Sequence, residues 1–267
     1  MIRKPAVAYQ FYPGDPTELE KALTSFEDKK AAKEDAIAII APHAGYIYSG
    51  KVAGSIYSSV RICDNIILIG PNHTGLGKLV SIMSSGSWEI PAAKLEINSE
   101  LANILLEESD ILVDDVSAHT KEHSLEVQLP FIHHFNPEAR IVPITIMHLD
   151  SNSYNKLGRS IAGAIKKYEG EVLIVVSSDM NHYEPHDVTK KKDKQAIDMI
   201  LALDAEGLIR TTKEEDITMC GVIPAAVAIA ASKELGASTA NLVDYATSGD
   251  TSGDYAHVVG YAGIMIK

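Results

Sequence analysis

The chain predicts an α/β fold with a largely parallel central sheet and helices on both of its faces. Apolar runs rich in Ile and Val alternate with segments of helical period about 10–15 residues long, as crossovers between parallel strands require. Three of these runs, IAIIAPHAGY, NIILIGPNHTG and EVLIVVSSDMNHY, break at a Pro, Gly, Ser or Asp turn and there present His43, His73 and His182. Neither a Pro/Gly/Ser-rich linker nor an internal repeat interrupts the 267 residues, so one domain over 1–267 is expected.

Taken in order, an extended arm precedes a helix with charged outer positions from Pro16 to Lys30, and Ala36 to Ala41 reads as the first buried strand. Helical patterns fit Ser49 to Val60, Asn98 to Glu108, Ser124 to Phe135, Ser153 to Tyr168, Val188 to Leu203, Ala205 to Thr212 and Cys220 to Leu235. Strand patterns fit Asn65 to Gly70, Leu79 to Met83, Arg140 to Ile146, Glu171 to Ser177, Asn241 to Ala246 and Val258 to Ile266. The stretch SGDTSGDYA lies between the last two strands and reads as a loop.

Acidic residues outnumber basic ones by 36 to 24, and the net charge of -12 argues against nucleic acid and against anionic membrane surfaces as partners. Lys190 to Lys192 with Lys194 reads as a solvated helix face. No apolar stretch approaches a membrane span and MIRKPAVAYQFYPGDP lacks the apolar core of a signal peptide, which together predict a cytoplasmic protein. In a reducing compartment Cys63 and Cys220 are expected as free thiols. The Asn72-His73-Thr74 sequon is then chance.

If the strands run parallel, all three histidines emerge at the sheet edge where open α/β folds bind ligands. One strand-end histidine would more often be a turn or surface residue; repetition shifts the balance toward a site, first of all for a metal. His43 and His73 are the foremost ligand candidates, because flanking Pro and Gly residues fix the backbone at each exit. His182 follows Asp179 in SSDMNHY and is a candidate general base, with Asp179 either orienting it or capping a turn. Cys220 opens an apolar helix, where a lowered thiol pKa would supply a nucleophile or metal ligand; a buried, inert thiol is the alternative. Asn72, Glu122 and His123 are expected to line the pocket, while His133 and His134 read as peripheral and Cys63 as structural. GPNHTGLGKL lacks the Lys and Ser/Thr of a phosphate loop, and no G-x-S-x-G elbow supports Ser178 as a nucleophile.

APHAGYIYSG, LIGPNH, EHSLEVQLPF, SSDMNH and TMCGVIP occur in the order found in the Memo family, which the chain resembles from its arm to its last strand. The resemblance implies a single α/β domain similar to class III extradiol dioxygenases, which hold non-haem Fe(II) with two His and one carboxylate. The matching positions look like His43, His73 and Cys220, with His182 at the place of the catalytic base. A thiolate in place of a carboxylate would soften the site toward Fe(II), Cu(I) or Zn and away from ring-cleaving oxygen chemistry. The chain departs from animal members in carrying Gln128 where they have His, and Asn181 before His182. The family also implies AMMECR-type and radical-SAM-type partners. Three functions stand open: a metal-dependent redox enzyme acting on a small molecule; a peptide- or protein-binding module using the same pocket; and a thiol hydrolase or transferase pairing Cys220 with His182. A homo-oligomer is the default assembly.

Overall fold

The computed structural model describes residues 1–91, 93–150 and 153–267. Its first half contains β1 (Ile2–Arg3), α1 (Pro16–Phe26), β2 (Ala38–Ala41), α2 (Tyr46–Ser59), β3 (Asn65–Pro71), β4 (Val80–Ile82), β5 (Ser87–Ile90), β6 (Ala93–Glu96), α3 (Ser99–Glu108), β7 (Val113–Asp114) and α4 (Leu129–Phe135). The second half contains β8 (Arg140–Ile146), α5 (Ser153–Lys167), β9 (Val172–Ser177), β10 (His182–Glu184), α6 (His186–Leu201), α7 (Ala205–Glu214), α8 (Val222–Glu234), β11 (Ala240–Thr247), α9 (Gly249–Ser252) and β12 (Val258–Ile266).

At the centre β2, β9, β3 and β8 lie side by side and parallel. Apart from Arg140 and Val172 at the starts of β8 and β9, their residues are buried, which is why they read as apolar runs. Alternate residues enter opposite cores. Ile40, Ile67, Ile69, Val142 and Val176 pack with Leu101, Leu157, Ile161, Ile200 and Ile229 from α3, α5, α6 and α8. Ile39, Ile66, Leu68, Ile141 and Val175 pack with Leu19, Ile56, Tyr57, Phe131 and Ile132 from α1, α2 and α4. Helices therefore cover both faces of the sheet.

Antiparallel strands flank this parallel core, and β7 pairs parallel with β4 at one edge. β12 runs against β2, β11 and β10, and β4 runs against β8. The two C-terminal strands form a hairpin because the short connection around α9 cannot make the dozen-residue crossover a parallel pair needs. A separate three-stranded sheet of β1, β5 and β6 escapes the sequence pattern, since its strands span two to four residues each. The predicted helix over Ser124 to Phe135 becomes a 3-10 turn at Glu126–Gln128, and α4 begins only at Leu129. There Glu122 accepts the Ser124 N–H at 2.9 Å, a side-chain bond that competes with helical pairing. Among the described residues no helix is long and apolar enough to cross a membrane.

The N-terminal arm is fastened by one buried carboxylate. Glu126 accepts from the backbone N–H of Ala6 and Val7 at 2.8 and 3.0 Å and from Tyr12 OH at 2.7 Å, and it pairs with the buried Arg3. The Arg3 guanidinium also donates to the carbonyls of His119 (2.9 Å) and Glu122 (2.7 Å) and lies 4.3 Å from the Trp88 ring centre. Lys192 does not join the solvated face expected of its run, because its ammonium donates to Glu184 and to the Asp216 carbonyl, both at 3.0 Å.

Candidate metal centre

The order β2-β9-β3 brings three strand ends to one edge. Two residues beyond β2, the His43 N–H donates to Asp179 Oδ1 at 2.8 Å, and its ring Nδ1 lies 2.9 Å from Ser177 Oγ at the end of β9. Two residues beyond β3, His73 is fastened to Glu122, which accepts from its backbone N–H at 2.5 Å and from its ring Nδ1 at 2.9 Å. Asn72 builds the turn that aims His73: its Oδ1 accepts from Thr74 and Gly75 N–H at 3.0 and 3.1 Å, and Gly75 supplies the positive φ of 69°. Its hydrogen bonds run within the loop.

His123 completes the group. Ligand-capable atoms of His43, His73 and His123 all lie within 4.8 Å of one another, so three imidazoles could hold one metal ion. His73 and His123 stack with centroids 4.6 Å apart, and His43 meets both edge-on at 5.3 and 5.5 Å. Phe11, carried by the arm, sits 4.8 Å from His123. Cys220 approaches from the other side, its Sγ 3.3 Å from His43 Nε2 and 3.2 Å from the Asp179 N–H that donates to it.

The electrostatics favour neutral donors. Burial lowers His43 well below the usual imidazole range, and the neighbouring His123 and His73 add to this. Burial also lowers His123, against the opposing pull of Glu122. Burial by itself would raise the Glu122 carboxyl, but its hydrogen bond and charge interaction with His73, joined by the Ser124 N–H, hold it down to about 2. Ionised, Glu122 can only accept, so the His73 Nδ1 carries a proton and donates it to the carboxylate.

Two expected roles meet a different local structure. Asp179 directs its Oδ1 to the N–H groups of His43 and Ala44, whereas His182 is oriented by Thr218, whose carbonyl lies 2.9 Å from its Nδ1. His182 does not end β9 but opens β10, after the turn 178–181. A carbonyl only accepts, so the His182 Nδ1 carries a proton and donates it to Thr218. Of the two readings of Cys220, the local structure favours the thiol: α8 starts only at Val222 after the Gly221 cap, and burial, reinforced by the Asp179 charge, pushes it well up. Iodoacetamide at pH 7.5 should thus leave Cys220 of the native metal-free protein unmodified while denatured protein is alkylated; rapid native labelling would contradict this.

His133 and His134 stay on α4, away from the cluster, with His134 3.1 Å from Glu20. Cys63 donates to the Asn65 carbonyl at 3.3 Å, at the other end of β3. A groove of about 690 Å³ lies between α5 and α7, lined by exposed Glu206, Arg210, Lys213 and Glu214, and shares no residue with the histidine cluster. Sequence reasoning missed Ser177, which looked like an ordinary strand end, and undervalued Glu122, whose signal was its place directly before His123.

The family profile described as "Memo-like protein" matches residues 3–265. The chain belongs to the Memo family. A MEMO1 family protein of Methanopyrus kandleri is 40% identical over 281 residues, covering 100% of this chain and 99% of the relative. Those of Pyrobaculum aerophilum and Aquifex aeolicus are each 44% identical, each alignment covering 99% of this chain and 98% of the relative. Among solved structures, the crystal structure of an uncharacterized protein from Escherichia coli K12 is similar to this Memo-family chain with a TM-score of 0.52. It is 14% identical, and the match covers 85% of this chain and 98% of that one. At that identity the likeness shows the α/β fold alone.

Proposed function

We propose that this Memo-family chain is a single-domain, cytoplasmic, metal-dependent redox protein. His43 and His73 hold the ion, Cys220 serves as the sulfur donor, and His123 supplies a further nitrogen beside it. The observation that carries this reading is the convergence of three imidazoles with ligand atoms within 4.8 Å of one another. The Cys220 thiol 3.3 Å from His43 Nε2 extends the donor set. Imidazole and thiolate together suit Fe(II), Cu(I) or Zn. A bound iron or copper would supply a one-electron couple, and thiolate ligation is poorly matched to ring-cleaving oxygen chemistry. Around it, this chain's own groups bind and move protons: His182 Nε2 acts as acid and base toward a small molecule, and Asp179 holds the His43 backbone in place. The raised Cys220 thiol weighs against a thiol hydrolase, which needs a ready thiolate. AMMECR-type and radical-SAM-type proteins are the proposed partners.

The test is metal content after anaerobic purification of wild type and of His43→Ala, His73→Ala and Cys220→Ser. Near-stoichiometric iron or copper in wild type, reduced at least tenfold in each variant, supports the reading. A wild type that takes up neither Fe(II), Cu(I) nor Zn²⁺ on anaerobic titration overturns it.

A further inference from the structure

The polar groups behind His43 form a closed donor-acceptor chain with little freedom. Ser124, Gln128 and Ser177 are fully buried and His43 is 2% exposed, so hydrogen bonds within the protein decide where each proton lies. Gln128 donates from Nε2 to the Pro42 carbonyl at 2.9 Å and to Ser177 Oγ at 2.8 Å, while its Oε1 accepts from Tyr57 OH at 3.1 Å. The Pro42 carbonyl can only accept, which fixes the amide orientation. Tyr57 is itself held by stacking on Phe131, with centroids 5.3 Å apart and planes 6° from parallel.

Ser177 has one hydroxyl proton, and it goes to the Ser124 carbonyl at 2.7 Å, which also only accepts. With that proton committed and one lone pair filled by Gln128, Ser177 Oγ can meet His43 Nδ1 only as an acceptor. We infer that Ser177, aimed by Gln128 and the Ser124 carbonyl, is a positioning residue that locks His43 as the Nδ1–H tautomer and presents Nε2 bare toward Cys220 and the other imidazoles. Glu122 likewise accepts the Nδ1 proton of His73. The opposite tautomer at His43 would turn the Ser177 hydroxyl to Nδ1 and leave the buried Ser124 carbonyl without its donor, a loss that disfavours it. Its consequence for metal affinity rests on the metal-binding reading; the tautomer does not.

Imidazole ¹⁵N shifts of the metal-free protein, with the His43 signals assigned by their loss in His43→Gln, test the lock without any loaded enzyme. Wild type should show a protonated Nδ1 and a bare Nε2 at His43. Ser177→Ala should give a mixture of tautomers there while His73 keeps its own signals, Gln128→Met should shift the ratio in the same direction, and Ser177→Thr should restore it. Zn²⁺ titration of the same samples should show affinity about 10–100-fold weaker in Ser177→Ala and recovered in Ser177→Thr. An Nε2–H tautomer in wild type, or an unchanged ratio in folded Ser177→Ala, overturns the inference. A wild type with the expected Nδ1–H signal that binds no Zn²⁺, Fe(II) or Cu(I) overturns the metal reading alone and supports the lock.

Discussion

Glu126→Gln should lower the unfolding free energy by about 3–5 kcal/mol, because it leaves the buried Arg3 guanidinium without its counter-charge. The loss exceeds that of a surface ion pair for a specific reason: the two Glu126 oxygens serve the Ala6 and Val7 N–H groups and Tyr12 OH as well as Arg3. An amide there would turn an NH₂ group toward at least one donor. Arg3→Met should cost a similar amount, and the double variant should cost less than the sum, since removing both charges leaves neither unpaired. Urea unfolding of the four proteins measures this. A Glu126→Gln penalty below about 1 kcal/mol, or strict additivity in the cycle, would show that the arm is held by something else.

The second large effect concerns Glu122. Its carboxyl is held down to about 2 in the folded chain and would sit near the ordinary value of 4.5 when unfolded. The sign follows: a depressed folded value means that the unfolded chain takes up the proton first as pH falls. The stabilisation is fully present above about pH 4.5 and is lost as pH falls through about 2, a span worth roughly 3 kcal/mol at this fully buried position. Glu122→Gln should remove that part of the acid slope. It should also loosen the His73 ring and weaken metal binding about 10–100-fold, as losing a group that orients a ligand does elsewhere. Denaturant melts between pH 5 and pH 2.5 and metal titrations at pH 7 would read the two consequences separately. An unaltered acid slope would mean that Glu122 is not the group responsible.

Much of the architecture was legible along the chain because the burial that shapes it repeats locally. Ile66 to Ile69 and Leu173 to Val176 are buried on both faces of the sheet, so composition alone marks them as strands. The exits at His43 and His73 were legible for a related reason: Pro42, and Gly70 with Pro71, punctuate the ends of those runs. His182 was harder. Its run ends at Ser177, and the intervening turn hands the residue to a short antiparallel strand whose partner, β12, lies far along the chain. β5 and β6 were illegible because four residues give too little periodicity to separate a strand from a loop.

By itself, the sequence determined the alternating α/β order, the apolar central strands and the two histidines at their exits, all of them properties of neighbouring residues. Tertiary structure decided what those histidines face. Glu122 lies 49 residues from His73, Ser177 134 from His43, and Cys220 177 from His43, so no local pattern carries these contacts. Burial decided the rest. It is what raises the Cys220 thiol instead of lowering it, and what lets single hydrogen bonds choose the tautomer of His43, because surroundings closed to water offer its proton no other partner.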